Sequence, residues 1–129
     1  MKVLRILASV ICLAPALIAA QALAQDVKSM TAASLEEHCK KRTDIERGQF
    51  TYEAALGAGA CAGYMNGALG AYYFLAQEYR NWICLPSNAT ADQAARIFLK
   101  YLSDNPQELH KPAIGIVLLS WAATFPCKP

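Results

Sequence analysis

Strand-like alternation, long charged tracts and nucleotide-binding fingerprints are all missing from these 129 residues. No segment alternates apolar and polar side chains over the length of a strand, so the chain reads as all-α. Internal repeats and low-complexity tracts are absent too, which sets aside solenoids and long linkers. There is no Gly-x-Ser-x-Gly element and no phosphate loop, and the glycines at 57–70 lack the preceding strand of a dinucleotide site. Histidine is limited to His38 and His110, each near basic residues at an expected helix end, where a surface role suffices. The carboxylates fall on helix faces or at caps, where solvation or capping accounts for them. The sequence therefore predicts no catalytic residues and no cofactor: a protein that is not an enzyme.

Cysteine is present without any Cys-x-x-Cys pair, and apart from the adjacent His38 and Cys39 no histidine stands at metal-ligand spacing, so no metal site is expected. The N-terminus supplies the context for the cysteines. A short basic start, "MKVLR", leads into the apolar "ILASVICLAPALIAA", and Ala22-Leu23-Ala24 fits the small-x-small cleavage rule. Residues 1-24 are read as a signal peptide cleaved after Ala24, and residues 25-129 as one exported domain. Pro15 and the shortness of the run argue against a membrane anchor, and Ile11 before Cys12 argues against lipid attachment.

Removal of Lys2 and Arg5 leaves ten basic side chains facing ten acidic ones. A neutral balance argues against a nucleic-acid partner and against electrostatic attachment to a membrane. Four cysteines remain, Cys39, Cys61, Cys84 and Cys127, and an even count in a small exported chain reads as two disulfides.

Helical signals cover most of the mature chain. The first helix is expected from Thr31 to about Arg42, with Leu35, Cys39 and Arg42 on one face and Glu36–Lys40 and Glu37–Lys41 as acid-before-base pairs. "TDIERGQF" is read as a polar connection. A second helix is expected from about Tyr52 to Arg80. It contains 24 uncharged residues, from Ala54 to Gln77, but their richness in Ala and Gly suits a buried central helix better than a membrane span.

Gly59, Gly63 and Gly67 recur every four residues and Gly70 comes three later; each costs roughly 1 kcal/mol relative to Ala inside a helix. A helix-packing role is the expectation, the stripe forming a groove into which a neighbouring helix docks. Tyr64, Tyr72, Tyr73, Phe74 and Tyr79 gather towards the far end, where they cap the core or face a partner. Thr90 to Gln93 forms a capping box for a third helix, with Ala94, Ile97, Phe98, Tyr101 and Leu102 on one stripe. "SDNP" ends it, Pro112 divides the remaining C-terminal stretch, and Ala113 to Phe125 forms a last, uncharged helix, either innermost or an oligomer interface. The fold class expected is a compact bundle of about four helices stapled by two disulfides.

Helix geometry favours one pairing of the cysteines. If the second helix continues to Arg80, Cys61 lies about 28 Å from its end. The four further residues to Cys84 reach at most about 14 Å, which disfavours a 61–84 bond. Antiparallel packing of the last two helices brings Cys127 back beside Cys84, leaving Cys39 with Cys61.

Several short motifs then acquire meaning together: "CAGYMNGALGA" at 61–71, "CLP" at 84–86 with Thr90 and Gln93 after it, "YLSDNP" at 101–106 and "FPC" at 125–127. In this order and spacing they resemble the Rap1a/Tai-type immunity proteins over roughly residues 34–127. The resemblance implies a small helical fold exported to the periplasm of Gram-negative bacteria. It also implies binding to a peptidoglycan amidase secreted by the type VI system, with a dimer occluding the amidase's cleft. The matched positions are cysteines, glycines and turn residues, all belonging to the scaffold, so no toxin-contacting residue carries over. The alternative reading is a small helical stress chaperone of the periplasm, or an orphan structural protein.

Overall fold

The computed structural model describes residues 30–75 and 82–128. The expected signal peptide, Tyr79 and the last turn of the expected second helix at Arg80 lie outside the described residues. Among the described residues four α-helices succeed one another: α1 (Ala32–Glu46), α2 (Tyr52–Phe74), α3 (Ala91–Asp104) and α4 (Ala113–Thr124), with a 3-10 turn at Pro106–Glu108.

The start of α1 shows how local chemistry and tertiary contact combine. Helix N-termini leave N–H groups without intrahelical acceptors. Here Thr31 Oγ1 accepts from Ser34 N at 3.2 Å. The Ala32 and Ala33 amides donate to Lys111 O and Leu109 O, both at 2.9 Å. The helix start is thus docked on the turn preceding α4. At its other end α1 runs four residues beyond the expected stop at Arg42, and Gly48 ends it. Gly48 has φ +83°, in the left-handed region that favours glycine. Its amide bonds Ile45 O and that of Gln49 bonds Asp44 O, both at 2.9 Å. These two bonds make a Schellman motif.

Threonines also cap the next two helices: Thr51 Oγ1 accepts from Ala54 N at 3.0 Å and Thr90 Oγ1 from Gln93 N at 3.2 Å. Pro112, which has no N–H to satisfy, precedes α4.

The core is formed by Leu35, Cys39, Met65, Phe98, Leu102, Ile116, Val117 and Trp121, all essentially inaccessible to solvent. Helix α1 packs most extensively on α2 and also meets α3 and α4, while α3 lies against α2 and α4. The central position expected for α2 is therefore a correction. Its residues Ala54, Gly57, Cys61, Met65, Ala68, Leu69 and Tyr72 are buried, and its other side is open to solvent. Ala and Gly expose little apolar area, so one face of such a helix tolerates water at small cost. The fourth helix is likewise split: Ile116, Val117 and Trp121 are buried, whereas Ile114 and Leu119 are about half exposed.

Both disulfides join the expected partners. Cys39 bonds Cys61, linking α1 to α2 across 22 residues, and Cys84 bonds Cys127 across 43. The reason for the pairing differs in part from the sequence argument, because α2 ends at Phe74 with Leu75 as its cap. Chain direction after α3 decides the second bond: α4 returns its C-terminus to the loop before α3, where Cys84 N donates to Phe125 O at 2.8 Å.

Candidate protein-binding face

At about 100° per residue, the exposed positions of α2 fall within one arc of about 160°. They are Tyr52, Glu53, Leu56, Gly59, Ala60, Gly63, Asn66, Gly67, Gly70, Ala71, Tyr73 and Phe74. One charge, on Glu53, stands at the start of this face, and the rest of it is uncharged. All four glycines of the expected packing groove lie here, on the side away from the bundle. A Cβ built on Gly59, Gly63, Gly67 or Gly70 meets no heavy atom within 4 Å. The expectation that they seat a neighbouring helix of the same chain is corrected, because α1 and α3 pack on the opposite side of α2.

The glycine that does permit close approach within the chain is Gly57, buried against Lys41 of α1. It was not among the expected packing positions. Its one sequence signal is its place four residues before Cys61, on the face that the disulfide fixes inward.

The aromatic end of α2 is split between core and solvent. Tyr72 caps the core: it is 6% exposed, its ring lies edge-on to Trp121 with centroids 6.2 Å apart, and its hydroxyl donates to Ile83 O at 2.7 Å. Tyr73 and Phe74 turn outward. The Tyr73 hydroxyl donates to Pro86 O at 2.6 Å, so two adjacent tyrosines grip one loop.

That loop carries Trp82, which is 75% exposed. Immediately after it, Ile83 is buried and Cys84 is bonded to Cys127. A large aromatic side chain is thus presented to solvent on backbone held by two tyrosine hydroxyls, a disulfide and a main-chain hydrogen bond. The sequence gives no sign of Trp82, because "NWICLPSNAT" carries only turn signals.

Where α1 meets α3, charged side chains pair with one another. Arg42 Nη2 meets Asp92 Oδ1 at 2.9 Å, Arg96 Nη2 meets Glu46 Oε1 at 2.9 Å, and Arg96 Nε meets Asp92 Oδ2 at 3.2 Å. This square ties the end of α1 to the start of α3. The hydrogen bond and charge of Asp92, helped by Glu46, raise the Arg96 pKa above its already high ordinary value. Burial raises the Tyr64 phenol above 10.0. The expected Glu36–Lys40 pair forms at 2.8 Å, whereas Lys41 turns to Asp44 at 3.9 Å.

Open grooves also lie among the described residues. One of about 390 Å³ lies between α3 and α4 at Lys100, Tyr101 and Thr124. Another, of about 510 Å³, lies between α1 and α2 at His38, Lys41 and Leu56. Among the described residues no three His, Cys, Asp or Glu side chains converge as metal ligands. No helix among them is long and apolar enough to cross a membrane. What the geometry offers is an exposed aromatic side chain on a loop tied to the bundle by hydrogen bonds and a disulfide.

Comparison with known proteins supplies the remaining observation. The family model described as Rap1a immunity proteins matches residues 31–127, from the cap of α1 to the second cysteine of the last disulfide. No curated protein and no solved structure matches the chain.

Proposed function

The chain belongs to the Rap1a immunity proteins, and we propose that it neutralises a peptidoglycan amidase delivered by type VI secretion, binding it in the periplasm and blocking its active site. In this reading residues 1-24 direct export and are removed, and residues 25-129 form the inhibitor, acting as a dimer. Export agrees with the two disulfides, which form and persist in an oxidising compartment.

The observation that carries the mode of action is Trp82, an exposed aromatic on a clamped loop. Interfaces draw most of their energy from a few Trp, Tyr and Arg anchors, and an anchor already held in place loses little freedom on binding. Occlusion requires only shape and desolvation, so the chain needs no reactive group of its own. The amidase meets Trp82 together with Pro86 of the same loop, both exposed.

Calorimetric titration of the effector encoded beside this gene tests the reading. Trp82→Ala should weaken binding by about a hundredfold, the scale of a hot-spot truncation, with the thermal unfolding of the chain unchanged. Absence of heat with the unaltered chain, or equal affinity for both proteins, would reject it.

A further inference from the structure

The two disulfides sit in different surroundings. Cys39 and Cys61 are each 1% exposed and join α1 to α2, the helices that pack on each other most extensively. Cys84 lies at the surface and Cys127 is partly buried; their bond joins the 82–86 loop to the segment after α4, and neither residue belongs to a helix. A thiol reaches a disulfide only where sulfur is accessible, so the place of the second bond in the fold favours exchange there.

Opening the second bond leaves the bundle standing. The core side chains Leu35, Met65, Phe98, Leu102, Val117 and Trp121 all come from helices, and the Cys39–Cys61 bond still ties α1 to α2. What changes is the loop. It keeps the buried Ile83 side chain, the Tyr72 and Tyr73 hydroxyls on Ile83 O and Pro86 O, and the hydrogen bond from Cys84 N to Phe125 O. The Tyr73 bond is exposed and competes with water. The covalent bond instead holds Cys84, two residues after Trp82, at a fixed distance from Cys127.

We propose that the Cys84–Cys127 disulfide is a redox latch. Oxidised, it holds the loop so that Trp82 stands ready for the effector; reduced, it leaves a folded bundle whose Trp82 is mobile and binds weakly. The inference rests on the role given to Trp82 in the proposed function. The reductant is a dithiol of the Cys-x-x-Cys oxidoreductase class. Its thiolate attacks Cys84 Sγ, the bond to Cys127 breaks, and Cys127 leaves as a thiolate that takes up a proton. The second thiol of the reductant, as thiolate, then attacks its own partner sulfur in the mixed disulfide, and Cys84 departs and is protonated. Two electrons and two protons pass to the chain, and the dithiol becomes a disulfide. An aromatic side chain that moves before binding must be immobilised on binding, which lowers affinity by about tenfold.

NMR relaxation of the indole N–H groups tests the latch without any effector, because the tryptophans of the chain are Trp82 and Trp121. Trp121, fully buried, is the internal reference. Dithiothreitol, at a dose that mass spectrometry shows to open the second bond alone, should lower the order parameter of the Trp82 indole. The order of Trp121 and the helical circular dichroism should not change. The double variant Cys84→Ser with Cys127→Ser should behave like the reduced chain, with or without dithiol. In calorimetry against a type VI peptidoglycan amidase, reduction should weaken binding by about tenfold and reoxidation should restore it, while the double variant stays weak. Equal order of Trp82 in both states, opening of Cys39–Cys61 at the same dose, or equal affinity before and after reduction overturns the latch. An amidase that ignores even the oxidised chain overturns the proposed function, and the relaxation measurement still decides whether the bond holds the loop.

Discussion

Gly57 and Lys41 lie so close that a Cβ added to the glycine would sit 2.7 Å from Lys41 Cγ and 2.9 Å from Lys41 Cβ. These are the first atoms of the lysine side chain, fixed to α1, so the two helices themselves must part to admit a methyl group. Gly57→Ala should therefore destabilise the fold by a net ~1–2 kcal/mol, overpacking outweighing the gain in helix propensity. Gly59→Ala, two residues on and open, should stabilise it by up to ~1 kcal/mol. Urea unfolding at a concentration where the protein is monomeric would compare them, and equal effects would contradict the packing described for α2.

Helix boundaries were legible in the sequence wherever a cap carried its own signal. Thr90 with Gln93 announced α3, and Pro112 marked the start of α4. The end of α1 was misplaced because the polar run after Arg42 resembles a loop, although the decisive residue, Gly48, was in plain view four residues before Tyr52. The burial pattern of α2 was not legible. A helix of Ala and Gly is nearly as apolar on one side as on the other, so periodicity cannot say which side faces the core. The disulfide partner Cys61 breaks that tie only once Cys39 is known to bond it. The contact face was hidden for another reason. Tyr72 follows Cys61 by about three turns and so shares its inward face, but the exposure of Trp82 depends on the path of the 82–86 loop, which turn signals alone leave undefined.

Tyr72→Phe should cost about 1 kcal/mol, the usual net value of a hydrogen bond. The removed hydroxyl donates to Ile83 O at 2.7 Å and accepts from Leu85 N at 3.4 Å. Hydrogen exchange at the Leu85 amide should rise with the loss of its acceptor. No change in stability or exchange would mean that the loop is held by Tyr73 and the disulfide alone.

The two disulfides should differ in their resistance to reductant. Cys39 and Cys61 are each 1% exposed, whereas Cys84 lies at the surface, and exchange needs access to sulfur. Under a mild thiol, alkylation and peptide mapping should find Cys84 and Cys127 labelled first. On the loop-entropy estimate, loss of the 39–61 bond costs roughly 3 kcal/mol and loss of the 84–127 bond roughly 4 kcal/mol. Labelling of Cys39 or Cys61 before the other pair would show that the α1–α2 contact opens more readily than its burial implies.

The proposed function is inhibition by binding, and hydrolysis of peptidoglycan fragments by a candidate type VI amidase effector measures it directly. With rising amounts of this protein, activity should fall in proportion and vanish at an equal ratio of subunits. The Trp82→Ala protein should need a large excess for the same effect. Full hydrolysis in the presence of excess folded, disulfide-bonded protein would contradict the account.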